Sequence, residues 1–194
     1  MLALMNLCII LRIQARANRL ANHRLHAAMA GLTREDFHAA RTSFFPTLAT
    51  TLNHILAVDA YYIGALHGDT ELPKKYEMFA PADDVPALAE RQRASDERLF
   101  AFCDRLDAAG CDAEVVMDRG NGKIQRDLAG HVLSHLFMHQ THHRGQAHAM
   151  LAGTAVKPPQ LDEFLMPSDA SWRAVDMAAL GWDEVAVYSA GSPS

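Results

Sequence analysis

The sequence predicts an all-α protein, a four-helix bundle with a small β-hairpin ahead of its last long helix. Three observations carry this expectation. Four long segments repeat apolar residues at helical spacing, a glycine follows each of them, and no internal repeat or low-complexity block interrupts the order. With 194 residues, 49% of them apolar, the chain can bury a substantial core.

The first helical segment runs from about Leu4 to Ala30 and stops at Gly31. Its apolar start, Leu2 to Ile13, lacks a basic leader and is too short to span a bilayer, so it reads as helix rather than as a cleaved signal. Thr33 to Asp36 looks like a cap and first turn of a short helix. The second segment, Phe44 to Leu66, carries Phe45, Leu48, Leu52, Ile55, Tyr62, Ile63 and Leu66 in one stripe, with Pro46 placed in its first turn. Leu72 to Pro86 holds three prolines and reads as a loop. The third segment is amphipathic, Val85 to Ala109, and ends at Gly110. Ala113–Met117 and Lys123–Arg126 flank Gly120-Asn121-Gly122 as the arms of a hairpin. The fourth segment is Asp127 to Leu151, before Gly153. A short helix near Leu161–Leu165 follows, and residues 1–168 form one domain with a tail, 169–194, that frays at Gly191–Ser194.

Eighteen Lys and Arg against 23 Asp and Glu leave a charge of −5, which argues against a dedicated nucleic-acid binder. Three cysteines without a CxxC motif imply no disulfide framework and a cytoplasmic setting, with no membrane partner. Cys103, set among Phe100, Phe102 and Leu106, reads as a small buried hydrophobe. Gly120 to Lys123 lacks the spacing of a phosphate loop.

Histidine is the unusual residue. There are 11, six of them between His131 and His148. With His139 at the origin of a helical wheel, Leu128, Val132, Leu136, Ala147 and Met150 fall within roughly −20° to +80°, and His143 falls at about +40°. His139 and His143 therefore lie inside the apolar stripe, one turn apart, where two nitrogens can meet one ion. Core imidazoles bonded to backbone or to each other fit the same spacing. A catalytic ion needs a third protein ligand from another helix. His54, His23, His26 and Asp59 are the candidates, and the wheel leaves the choice open. Asp59 sits on the main stripe of its segment and calls for a partner, an arginine or an imidazole beyond the ion. Arg144, at about 140°, is expected to meet solvent or a loop carboxylate. Gly145 inside the helix suggests close backbone packing. His131, His135, His142 and His148 would line or flank the site, and His23, His26, His38 and His67 read as surface or packing residues.

His139-Gln140-Thr141-His142-His143-Arg144-Gly145-Gln146 resembles the HQxHHRGQ hallmark of the DinB family of DinB/YfiT-like proteins. Ala17 to Leu25 is similar to the family's opening YNxWANxRL, with Ala17 and Leu20 in place of aromatics. Thr51 to Asp59 resembles LxHIxxVDxxW, with Tyr62 for the tryptophan, and Pro158 to Asp162 is similar to its closing P-x-L-D. The resemblance spans roughly Arg16 to Leu165. It implies a bundle with a left-handed connection, commonly a homodimer, and a divalent metal, nickel or zinc, held by His54, His139 and His143. Relatives of this fold include thiol-dependent S-transferases and a mycothiol-dependent isomerase, and fold kinship alone does not carry that chemistry over.

Three neutral imidazoles leave an ion its full charge. Bound water is then acidified toward a pKa of about 7, or a low-molecular-weight thiol is deprotonated. The expectation is a metal-dependent transferase of the thiol S-transferase type, or a hydrolase, acting on a small molecule. The competing expectation is a non-catalytic, stress-related metal- or ligand-binding bundle. No glutamate neighbours the pair as a general base, so no catalytic residue is named. The apolar first segment adds to the expectation of a homodimer.

Overall fold

The computed structural model describes residues 6–163 and 166–188. Helix α1 (Leu7–Met29) starts where the Asn6 side chain accepts from the Ile9 N–H at 3.0 Å, and α2 (Arg34–His38) is capped in the same way by Thr33. Helix α3 (Leu48–Leu66) opens with a reciprocal box in which the side chains of Thr47 and Thr50 each accept from the other's backbone N–H. Pro46 therefore precedes the helix instead of sitting in its first turn, and its carbonyl accepts from the Arg41 N–H. The expected loop after Gly68 contains a short helix, α4 (Leu72–Glu77), because Pro73 falls in its first turn, where a missing N–H costs nothing.

Helix α5 (Val85–Asp104) is capped by Asp84 and ends earlier than its apolar pattern suggested. The chain breaks at Arg105, and Asp107 caps a separate turn, α6 (Ala108–Cys111). Strands β1 (Glu114–Asp118) and β2 (Ile124–Leu128) pair antiparallel, Glu114 opposite Leu128 and Asp118 opposite Ile124. The pairing claims Asp127 and Leu128, so α7 (Ala129–Leu151) starts two residues later than its pattern did. Gly120, Asn121 and Gly122 all adopt positive φ in the connecting turn, which explains their residue types. Beyond residue 168, α8 (Ala170–Leu180) and α9 (Glu184–Tyr188) follow, and Met177 and Val187 pack on Ile9, Ile13 and Leu20 of α1. Leu161 to Glu163 are not helical, and the rest of the short helix expected there lies outside the described residues, as do Leu4 and the Gly191–Ser194 end.

The long helices are α1, α3, α5 and α7. Each of α1 and α3 packs against both α5 and α7, so helices consecutive among the four are not always neighbours. The segments from α1 to α3 and from α5 to α7 cross the bundle diagonally. The second of these segments carries the hairpin, which packs over one end of α3.

Besides the cluster that α8 and α9 form on α1, the described residues have two apolar clusters inside the bundle, one around Leu11, Leu99, Leu133 and Leu136, the other around Leu25, Leu48, Ile55, Leu88 and Leu151. A buried polar layer separates them. On each long helix the polar residues sit between the two clusters: Asn18 and Asn22 on α1, Asp59 on α3, Gln92 and Asp96 on α5, Gln140 and Arg144 on α7. Asp59 accepts from Gln140 Nε2 at 2.9 Å and from Gln92 Nε2 at 2.8 Å. Asp96 accepts from Asn18, Asn22 and Gln92, and Arg144 donates to the side-chain oxygens of Asn18 and Asn22. Most of the layer's buried polar atoms are partnered in this way, the Gln140 side-chain oxygen excepted among the described residues.

Candidate metal centre

Helix α3 presents His54, and α7 presents His139 and His143 one turn apart. The packing of α3 on α7 brings the three rings together. One ring nitrogen from each lies within 4.8 Å of the others. His54 Nε2 and His139 Nε2 are 3.0 Å apart, and ring centroids are 4.6 Å apart for His54 and His143 and 4.5 Å for His139 and His143. Nitrogens bound tetrahedrally to one zinc-like ion lie about 3.3 Å from each other. The set matches that scale with small adjustment.

The donor chemistry fits as well. His143 Nδ1 lies 2.8 Å from Gln146 Oε1, an acceptor only, so Nδ1 carries the proton and Nε2 keeps its lone pair. Gln146 in turn donates to His142 Nε2 at 3.2 Å. Burial, with His143, His54 and two further imidazoles nearby, lowers the His139 pKa to about 4, and burial with His143 lowers that of His54. Both rings are therefore neutral at physiological pH, the state a metal ligand needs. His139 Nδ1 is buried without a partner. Phe45 packs on the His54 ring at 4.5 Å and near His143 at 5.6 Å, shielding one side.

The other side opens into a pocket of about 520 Å³ lined by the three histidines, Tyr61, Tyr62, Tyr76, His135 and Arg119 among others. His135 stands beyond His139 and meets the Tyr62 ring at 5.1 Å. Of the other histidines, His131 is exposed, His148 bonds the Pro159 carbonyl, and His23 lies near Asp176. His26 is buried in α1, where burial and Arg19 lower its pKa to about 4. Neither His23 nor His26 belongs to the cluster.

Three expectations need correction. Asp59 is not linked to an imidazole or an arginine; its carboxylate is held by two glutamines, and burial together with Asp96 raises its pKa to about 7. Arg144 is buried, 8% exposed, because α7 faces α1 as well as α3 and Asn18 and Asn22 await it there. Gly145 is exposed with open space where a side chain would go, so close packing does not explain it. Cys8, Cys103 and Cys111 are free and buried, with burial pushing Cys103 up to about 12, which suits packing and not nucleophilic chemistry.

Sequence reasoning missed the polar layer and Arg119. The layer had a signal: Asn18/Asn22, Gln92/Asp96 and Gln140/Arg144 are each polar pairs four residues apart, one turn apart on a helix face. Arg119 had none, because only the hairpin's fold carries it to the pocket.

The sequence model of the DinB family matches residues 13–174. Protein DinB of Bacillus subtilis (strain 168) is 23% identical over 152 residues, covering 75% of this chain and 87% of that protein. Among the described residues, no helix is long and apolar enough to cross a membrane.

Proposed function

The chain belongs to the DinB family, and we propose that it is a divalent-metal protein using His54, His139 and His143 to hold nickel or zinc for transferase or hydrolase chemistry on a small molecule. One observation carries this reading: three imidazole nitrogens converge at the floor of a pocket, and all three come from two adjacent helices. Such an ion lowers the pKa of a bound water or of a low-molecular-weight thiol and so supplies a nucleophile at neutral pH. The protein's residues do the rest. Gln146 fixes the His143 tautomer, Phe45 keeps solvent from one side, and the tyrosines give the pocket an apolar body with polar tips.

The ligand count favours catalysis over a structural role. A structural zinc is closed by four protein ligands, whereas a catalytic one keeps a position open, and an ion held by these three histidines would border the pocket they line. Cytoplasmic residence and a homodimer belong to the same proposal.

The test is metal analysis and calorimetric titration of wild type beside His54→Ala and His143→Ala. Stoichiometric uptake of nickel or zinc that both variants lose supports the reading, and water exchange measured by relaxation on a paramagnetic substitute separates an open ion from a closed one. No uptake by wild type after reconstitution overturns it, and uptake without an exchangeable water turns it to the non-catalytic alternative.

A further inference from the structure

The pocket above the histidines holds a cation, Arg119, that pairs with no carboxylate among the described residues. Arg119 leaves the end of β1 and lies over the rings of Tyr61 and Tyr62, its guanidinium carbon 5.0 and 5.1 Å from their centroids. Its Nε donates to Gln125 Oε1 at 3.0 Å and its Nη2 to the Tyr62 hydroxyl at 3.0 Å. Gln125 is itself oriented, because its Nε2 donates to Asp127 at 2.5 Å and leaves its carbonyl oxygen facing Arg119. Tyr61 is fixed by donating its hydroxyl proton to the Asp118 carbonyl at 2.5 Å.

Each group that Arg119 itself touches here, Gln125 and the two tyrosines, is neutral, and Asp127 is engaged through Gln125. Asp118, the adjacent carboxylate, accepts from the Gly120 N–H instead, and the exposed Glu77, which also lines the pocket, does not pair with Arg119. Among the described residues no carboxylate forms an ion pair with Arg119, whose remaining contacts are the Tyr61 side chain and the Met117 sulfur. Cations held partly buried on aromatic faces with spare donors are preorganised to receive an anion, and the planar fork of arginine fits a carboxylate or phosphate.

We propose that Arg119 selects a small molecule bearing an oxyanion, a carboxylate or a phosphate, and holds that group at the tyrosine wall while the reacting end lies over the histidines. This inference names the substrate class of the metal site and rests on that reading. A volume of about 520 Å³ suits a metabolite rather than a polymer. An ion among neutral imidazoles adds positive charge to the same cavity, so both ends of the pocket favour a negative ligand.

The test is calorimetric titration of metal-free and metal-loaded protein with succinate, inorganic phosphate and the neutral succinamide. Wild type is expected to bind succinate or phosphate about tenfold or more tightly than Arg119→Gln does, with Arg119→Lys between them, in both metal states. Whichever anion responds identifies the oxyanion. Succinamide is expected to bind wild type and variant alike. Equal anion affinity for wild type and Arg119→Gln, or succinamide binding wild type as tightly as both anions, overturns the proposal. The second comparison uses wild type alone, so it decides the matter even if the variant does not fold. Metal uptake measured on the same samples keeps the two readings apart. Anion selectivity without metal uptake removes the metal reading and leaves this one, and metal uptake without anion selectivity does the opposite.

Discussion

Gln140 Nε2 donates to Asp59 Oδ1 across 2.9 Å, tying α7 to α3 at the residue that directly follows His139. Through this one bond the buried polar layer is joined to the backbone turn that presents two of the three clustered imidazoles. Replacing Gln140 with leucine leaves Asp59 with Gln92 as its one remaining donor. The expected loss is about 1–3 kcal/mol of stability, read from urea unfolding of the metal-free protein.

Asp59 also makes the fold's stability depend on pH. Its carboxyl titrates near 7 when folded and near the ordinary value of about 3.9 when unfolded. Between those values the unfolded chain has lost the proton that the folded chain retains, so this residue lowers stability as pH rises. Asp59→Asn removes the effect. The melting temperature of the variant relative to wild type should climb from about pH 4 to about pH 7 and then level off, as thermal melts followed by circular dichroism across that range would show.

Arg144 offsets both buried carboxyls of the layer, and Arg19 acts on Asp96 beside it. Arg144→Met removes the donor to Asn18 and Asn22 and leaves Asp59 and Asp96 with no cation bonded into the layer. Losing one member of a buried charge set costs about 3–5 kcal/mol. Chemical denaturation at neutral pH should show a loss of that size, and the loss should shrink at pH 5, where the carboxyls hold their protons, since Asp96 titrates near 6.

Gln146 touches no ion yet sets which nitrogen of His143 is free. Gln146→Ala should weaken divalent-metal affinity about 10- to 100-fold while leaving the metal-free melting temperature nearly unchanged. Competition titration against a chromophoric chelator measures the first, and a melt of the stripped protein the second.

Metal binding should also stabilise the fold. At a free ion concentration of 100 times Kd the added stability is about 2.7 kcal/mol, which His143→Ala should abolish. Differential scanning fluorimetry with and without nickel or zinc reads both results.

The four long helices were legible because each buries an apolar stripe, and such a stripe repeats in sequence. Segment ends were less so. Asp127 and Leu128 carry a helical pattern yet belong to β2, since the strand pairing with Glu114 and Val115 outcompetes the helix's first turn. His139 and His143 were visible as an apolar-face pair, while His54 was singled out by resemblance and not by its own periodicity. Arg144 was misplaced for a general reason. A wheel assigns polar residues to solvent, but Asn18, Asn22, Asp96 and Arg144 satisfy one another inside. Arg119 lay hidden in what reads only as a tight turn.

His54 and His139 touch in space but are 85 residues apart in sequence, on helices joined only after the chain has crossed the bundle. No fragment that stops before α7 can assemble the cluster. During synthesis α5 and the hairpin emerge before α7, so any metal uptake by this cluster would report a late step of folding and not an early one that guides it.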